Sequence, residues 1–295
     1  ATAAGGAFAG SGALPDGGFA EPAGAGAGGT ASAPPPRMSR RISSAEAPPG
    51  APGACAAAAA VWAALLVPVP GRSQAAAPSA PQEKPAIFGQ PMADFTLPAY
   101  QGGEVTLSSL RGKNVMIIFL RGYAAEGSWC TICNYQYGEL IEMELAQGLR
   151  KAHNLEVLFV LPYDKDTVKA WVEVLPAQIE KIRGWKYPAD PAKLDEAGKT
   201  WMERSRQIYP KDLALEKGTV LVPFPILVDG ERTLSKKLDL FRNEWGGSKV
   251  DQNIPGVYVI DAAGVLQFKY LGQNTVDRPD YVYLLKVLEV VNSGK

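Results

Sequence analysis

The unbroken apolar run VMIIFL at positions 115–120 is the firmest constraint in this chain. Such a run reads as a strand covered on both faces, and strands of that kind belong to sheets flanked by other layers. Shortly after it stands Trp129-Cys130-Thr131-Ile132-Cys133. From 131 to 152, Leu140, Ile141, Met143, Leu145 and Leu149 recur like one face of a helix. The succession strand, Cys-x-x-Cys, helix commits the chain to an α/β layering and sets two thiols where strand passes into helix. A Cys-x-x-Cys in that setting reads as a redox site.

The rest of the folded part continues the pattern. Residues 155–161 read as a second buried strand, and 167–182 as helical with a break near Pro176. Residues 224–229 read as a third strand, 233–241 as a short helix, and 281–291 as a terminal helix. Segments 257–261 and 265–271, joined by Ala262-Ala263-Gly264, carry a hairpin signal. Parallel strands need crossover helices and the last hairpin does not. The expected fold is therefore α/β, a mixed central sheet with helices on both faces. The polar stretch 176–223, with Trp185, Tyr187, Trp201 and Tyr209, reads as a helical insertion that either caps the active site or, the favoured reading, packs on an edge of the fold. Gly102-Gly103 and Gly246-Gly247 are turn signals rather than phosphate loops.

Residues 1–84 are rich in Gly, Ala, Pro and Ser without a sustained period, so disorder is expected there. Within them, Met38-Ser39-Arg40-Arg41, the apolar stretch 54–67 and the small residues 73–77 follow the order of a secretory signal, from Met38 to about Ala75. That order predicts an extracytoplasmic destination, a periplasm or the exterior. The rival reading is an organelle transit peptide. The folded domain is expected over 85–295. Thirty Lys+Arg balance thirty Asp+Glu, which argues against a nucleic-acid or polyanion partner.

Of three cysteines, Cys55 falls in the leader, which leaves Cys130 and Cys133 together in the mature chain. The thiolate is the reactive form. If Cys130 opens the helix, unpaired backbone N–H groups and the helix dipole favour its thiolate. Cys133, one turn on, is placed to resolve a disulfide or sulfenic acid formed on Cys130. Cys130 is thus expected as the exposed nucleophile, Cys133 as the shielded resolver, and the two as a redox-active disulfide. Trp129 would cover one side of the sulfur. Structural zinc needs four ligands, and there is no second Cys pair and only one histidine, His153. A purely structural bridge would close a very small loop and gain little. No metal or cofactor is expected. Arg121 either favours the Cys130 thiolate by charge or pairs with a surface carboxylate. Glu126 is either a proton acceptor for Cys133 or solvated.

Further residues carry a family resemblance. They are GQPMADFTL at 89–97, VTLSSLRGK at 105–113, the Trp-Cys-x-x-Cys, FPILVD at 224–229 and IPGVYVID at 254–261. In this order, over 89–291, the chain resembles the redoxin, or AhpC/TSA, branch of the thioredoxin-like superfamily, with peroxiredoxin-like and TlpA-like members. That resemblance implies a thioredoxin-like fold and one of two activities. Peroxiredoxins resemble Pro-x-x-x-Thr/Ser-x-x-Cys with an Arg from a distant strand. Here Tyr123, Gly127 and Pro255 occupy those positions. Thioredoxin-like reductases place a cis-proline where Pro255 stands, which would leave the Ile254 backbone free for an extended substrate. Ile132 stands where many thioredoxins carry Pro.

The leading expectation is a thiol–disulfide oxidoreductase acting on protein disulfides. The alternative is a thiol peroxidase with Cys130 peroxidatic, reducing hydrogen peroxide or alkyl hydroperoxides. Either needs a thiol electron donor that the chain does not name. Sco-type metallochaperones share this fold, but they use Cys-x-x-x-Cys plus a histidine. His153 would lie roughly 30 Å along the helix from the cysteines, a surface residue at a helix end. A binding module with an incidental disulfide is the remaining reading.

Overall fold

The computed structural model describes residues 86–215 and 221–293. The leader, with Met38, Cys55 and Ala75, lies outside the described residues. In chain order the strands and helices begin with β1 (Thr96–Pro98), β2 (Glu104–Thr106), β3 (Asn114–Phe119), β4 (Tyr123–Ala125) and β5 (Ser128–Trp129). Next come α1 (Thr131–Gln147), α2 (Leu149–Ala152), β6 (Leu155–Leu161), α3 (Lys165–Glu173), α4 (Leu175–Lys186) and α5 (Glu196–Ile208). The chain continues through β7 (Ile226–Val228), α6 (Thr233–Lys237), β8 (Phe241–Arg242), β9 (Gln252–Asn253), β10 (Gly256–Ile260), β11 (Leu266–Leu271) and α7 (Tyr281–Ser293).

The central sheet has the order β11-β10-β3-β6-β7. β3 runs parallel to β6 and β6 to β7, whereas β10 is antiparallel to β3 and to β11. The sheet is mixed, as the short final hairpin requires. All six residues of β3 are buried, and its alternating side chains divide the core. Met116 and Ile118 pack with Tyr137, Leu140 and Ile141 of α1, Trp171 of α3, Ile179 of α4 and Leu284 of α7. Val115, Ile117 and Phe119 pack on the other face with Leu97, Leu107, Leu234 and Leu238. That second layer is thinner: the β1–β2 hairpin, a single 3-10 turn at Leu107–Leu110 and the short α6.

Local chemistry sets the boundaries. The helix expected over 131–152 splits at Gly148, whose φ of +59° ends α1 while its N–H bonds back to Glu144. Pro176 sits in the first turn of α4, where a missing N–H costs nothing, so the break falls at Val174. Asp164 caps α3 and Asp195 caps α5, each by accepting a backbone N–H. The strand expected over 224–229 shortens to β7 because Pro225 has no N–H to give and only its carbonyl pairs, with Phe159.

The inserted segment does not pack on an edge. α4 and the chain after α5 lie along the outer face of α1. A Cβ built on Gly138 of α1 would meet Leu213 Cδ1 at 2.8 Å and Leu215 Cδ1 at 3.1 Å. Tyr135 of α1 accepts the Lys211 N–H at 2.7 Å. The cysteine-bearing helix is therefore held between the sheet and the insertion. The scattered aromatic residues of the insertion explain the difference: Tyr209 is buried against this helix rather than spread over a solvent-facing cap.

Candidate active site

After β3 the chain must turn sharply to reach α1. Gly122 makes the turn at φ +83°, and a Cβ there would lie 2.3 Å from the Tyr163 hydroxyl, so only glycine fits. The β4–β5 hairpin then returns the chain, and Cys130 N–H closes it by bonding to Gly122 O at 2.8 Å. Tyr163 braces the hairpin from below. Its hydroxyl accepts Tyr123 N–H at 2.9 Å and donates to Asp251 O at 2.7 Å. Trp129 stacks on Tyr123 with ring centres 3.8 Å apart. Thr131, between the two cysteines, shares a buried 2.7 Å hydrogen bond with the hydroxyl of Tyr209 in the insertion.

Both cysteines are free and buried, Cys130 at 3% exposure and Cys133 at 0%. The exposed nucleophile expected at Cys130 is thus covered in this state. Cys130 does occupy the position before the first turn of α1, but its side chain caps no N–H. The N–H groups of Cys133 and Asn134 bond to its carbonyl, at 3.0 and 3.4 Å, as the first bonds of the helix. Burial pushes the Cys130 thiol up, and its hydrogen bond to the Cys133 sulfur pushes it further. Burial pushes Cys133 up as well, but there it is outweighed. The hydrogen bond from Cys130, the Arg278 charge and the N–H groups of Gly122 and Arg121 bring it down to about 6. The two thiols are thus shifted in opposite directions, Cys133 towards the thiolate and Cys130 away from it.

The other expected residues fall at varied distances from this chemistry. Arg121 is buried just past β3, and among the described residues it forms no ion pair with a carboxylate. Its guanidinium donates to Gln252 Oε1 at 2.6 Å and Ser248 Oγ at 2.6 Å and lies over the Trp245 ring. Its charge reaches Cys130 through space. Glu126 stays exposed at the hairpin turn, where with Tyr123, Tyr163, Asp164 and Asp251 it lines a 590 Å³ cleft. It is not brought to the buried sulfurs. The cis bond expected at Pro255 is not there: no cis peptide bond occurs among the described residues. Pro255 is a trans proline just ahead of β10, where its missing N–H costs the ladder nothing. The backbone of Ile254 is not free either, because its N–H bonds to Leu240 O at 2.7 Å. His153 ends α2, away from the cysteine end of α1.

Arg278, Tyr163 and Tyr209 carry no signal in the sequence. They come from loops or element ends with no motif around them, and only tertiary folding brings them to the cysteines. Gln252 is equally silent, a buried amide whose task is to hold Arg121.

Comparison with known proteins follows this geometry. The AhpC/TSA family matches residues 88–269. No curated protein matches the chain. Among solved structures, peroxiredoxin 6 of Arenicola marina is 14% identical, with 70% of this chain and 73% of that one covered and a TM-score of 0.46. The reduced 2-Cys peroxiredoxin of Plasmodium vivax is 17% identical, with 70% and 97% covered and a TM-score of 0.44. The peroxidoxin BcpB of Mycobacterium tuberculosis is 13% identical, with 71% and 99% covered and a TM-score of 0.40. A mixed sheet of thioredoxin-like type, a dithiol at the head of α1 and a family match across most of the folded region agree: this chain belongs to the AhpC/TSA family of thiol-dependent oxidoreductases and peroxidases.

Proposed function

We propose that Cys130 and Cys133 form the redox centre of a dithiol enzyme whose oxidant is a small hydroperoxide. The observation that carries this reading is the buried contact between the two sulfurs. Two sulfurs already within hydrogen-bond reach need little movement to join, and their burial admits a small oxidant more readily than a protein disulfide. Cys130 attacks the peroxide: its S–O bond forms, the O–O bond breaks, and an alcohol or water leaves with the sulfur's proton. Cys133 thiolate then attacks the sulfenic acid on Cys130, expelling hydroxide and closing the disulfide. An external thiol donor returns two electrons by exchange. Cys133 relays that proton, taking it from Cys130 as the sulfur attacks and giving it to the departing oxygen, and then, again a thiolate, acts as the resolving sulfur.

Thiol–disulfide exchange with a protein substrate is the second reading. The Trp129–Tyr123 stack supports it, since this pair is half exposed directly before Cys130 and offers an aromatic edge to a partner. In that case Cys130 attacks the substrate disulfide and Cys133 releases the mixed disulfide. The leader adds a separate proposal, export of this chemistry, which the N-terminal sequence of the mature protein checks.

Stopped-flow oxidation of the reduced full-length protein by hydrogen peroxide, read by tryptophan fluorescence, tests the first reading. A rate far above that of a free thiol is expected. Cys130→Ser should abolish it, and Cys133→Ser should leave a sulfenic acid that a dimedone label traps. A rate no faster than that of a free thiol removes the peroxidase and leaves disulfide exchange.

A further inference from the structure

Asn134 and Asn253 are fully buried, and neither end of either carboxamide has a hydrogen-bond partner. Buried polar groups are ordinarily paired, because an unbonded one forfeits the hydrogen bonds it made to water. Other buried atoms also lack partners, but among the described residues no other carboxamide is bare at both ends.

Both amides come from elements that meet at the cysteines. Asn134 follows Cys133 in α1 and stands one helical turn after Cys130, whose carbonyl accepts its backbone N–H at 3.4 Å. Residues three and four apart share a helix face, so Cys133 and Asn134 flank Cys130. Asn253 closes β9. Its N–H bonds to Arg121 O at 3.2 Å, and the next carbonyl, Gly122 O, accepts the Cys130 N–H at 2.8 Å. Only the backbone of 121–122 therefore stands between Asn253 and Cys130. Side-chain alternation gives the direction of the amide. Val257 and Val259 pack in the layer that holds both cysteines and α1, whereas Ile254 and Tyr258 pack in the other. Gln252 turns away from the cysteine layer as well, to hold Arg121, which continues the alternation of Val115, Ile117 and Phe119. Asn253, between Gln252 and Ile254, thus turns to the cysteine side.

A carboxamide carries no charge and offers both an acceptor and donors. A hydroperoxide matches it, being neutral and able to donate and accept. As the O–O bond breaks, negative charge grows on the departing oxygen, and fixed donors aimed there lower the barrier. We propose that Asn134 and Asn253 hold the hydroperoxide against Cys130, their carbonyls accepting its O–H and their NH2 groups donating to its oxygens. The Cys130 sulfur bonds to one oxygen and the O–O bond breaks. The other oxygen, hydrogen-bonded by the amides, leaves as water or alcohol with the proton that the thiol gave up. The inference rests on the hydroperoxide reading above and adds the groups that bind the substrate. It also accounts for two bare amides in a packed core: their partner is the oxidant.

Asn134→Leu and Asn253→Leu keep the side-chain size and remove the donors and the acceptor. Stopped-flow oxidation of each reduced full-length variant by hydrogen peroxide should be slower than that of the starting protein by about tenfold or more. Alkylation of Cys130 by iodoacetamide, which needs no peroxide-binding group, should stay within about threefold. Circular dichroism identifies a variant that has not folded, and the alanine variant then replaces it. A peroxide rate close to that of the starting protein in either folded variant overturns the proposal. So do peroxide and alkylation rates that fall together, because they mark a change in the thiol rather than in substrate binding. A starting protein no faster than a free thiol removes the hydroperoxide reading and this inference with it. A fast starting protein with equally fast variants removes this inference alone.

Discussion

Cys133 is fully enclosed, yet its thiol is shifted towards the thiolate. Its acidity is set by directed donors and a nearby cation rather than by contact with water. Because its folded value lies below that of an ordinary thiol, the thiolate persists above about pH 6 and is lost as the pH falls through that value. The rate of peroxide oxidation should therefore drop by about tenfold between pH 7 and pH 5, as the Cys133 anion is titrated away. Single-turnover rates across that range check it. A second residue-scale expectation concerns the Thr131–Tyr209 hydrogen bond. Tyr209→Phe leaves the Thr131 hydroxyl buried and unpaired, which should cost about 1–3 kcal/mol in urea denaturation. The two cysteines were legible in sequence because spacing and flanking pattern locate them. Their opposite shifts were not, because acidity depends on Arg278 and on the backbone of 121–122, which sequence places far apart or gives no side chain to read. Pro255 misleads for a related reason: its position matches a reductase proline, whereas isomer state is decided by the bonds around it.

At the level of elements, β3 and β6 announce themselves by continuous apolar runs, and the β10–β11 hairpin by the turn residues between its strands. The β4–β5 hairpin does not. Its strands are two and three residues long, too short for a period, and it exists because Gly122 and Tyr163 hold its base. Gly122→Ala should thus be among the most damaging single changes. The left-handed backbone strains any Cβ, and the Tyr163 ring must leave, taking its bonds to Tyr123 N–H and Asp251 O with it. A loss of about 3 kcal/mol is expected, with faster alkylation of Cys130 as its cover loosens. Equilibrium unfolding and iodoacetamide rates read both. The insertion was visible as helical, but its seat on α1 was not. That seat depends on Gly138 leaving room for Leu213, a complementarity across about 75 residues of chain.

For the whole molecule, the redox state should register in stability. The disulfide would close a loop too small to restrain the unfolded chain much. Oxidation would also remove the anion that Arg278 and the N–H groups of 121–122 surround. The reduced protein is therefore expected to unfold at higher urea than the oxidised one, the reverse of the usual effect of a disulfide. By linkage, the pair should be an oxidising one. Parallel denaturation curves with and without reductant decide this, and an oxidised form that outlasts the reduced one would refute it. The sheet order has a separate consequence for a chain emerging from the ribosome. β3, which leads to the cysteines, takes one neighbour from β6 but the other from β10, with Phe119 opposite Gly256. Until that distant strand has been synthesised, the Met116–Phe119 edge stays bare, so a nascent chain carries both cysteines beside an unfinished sheet for more than a hundred residues of synthesis.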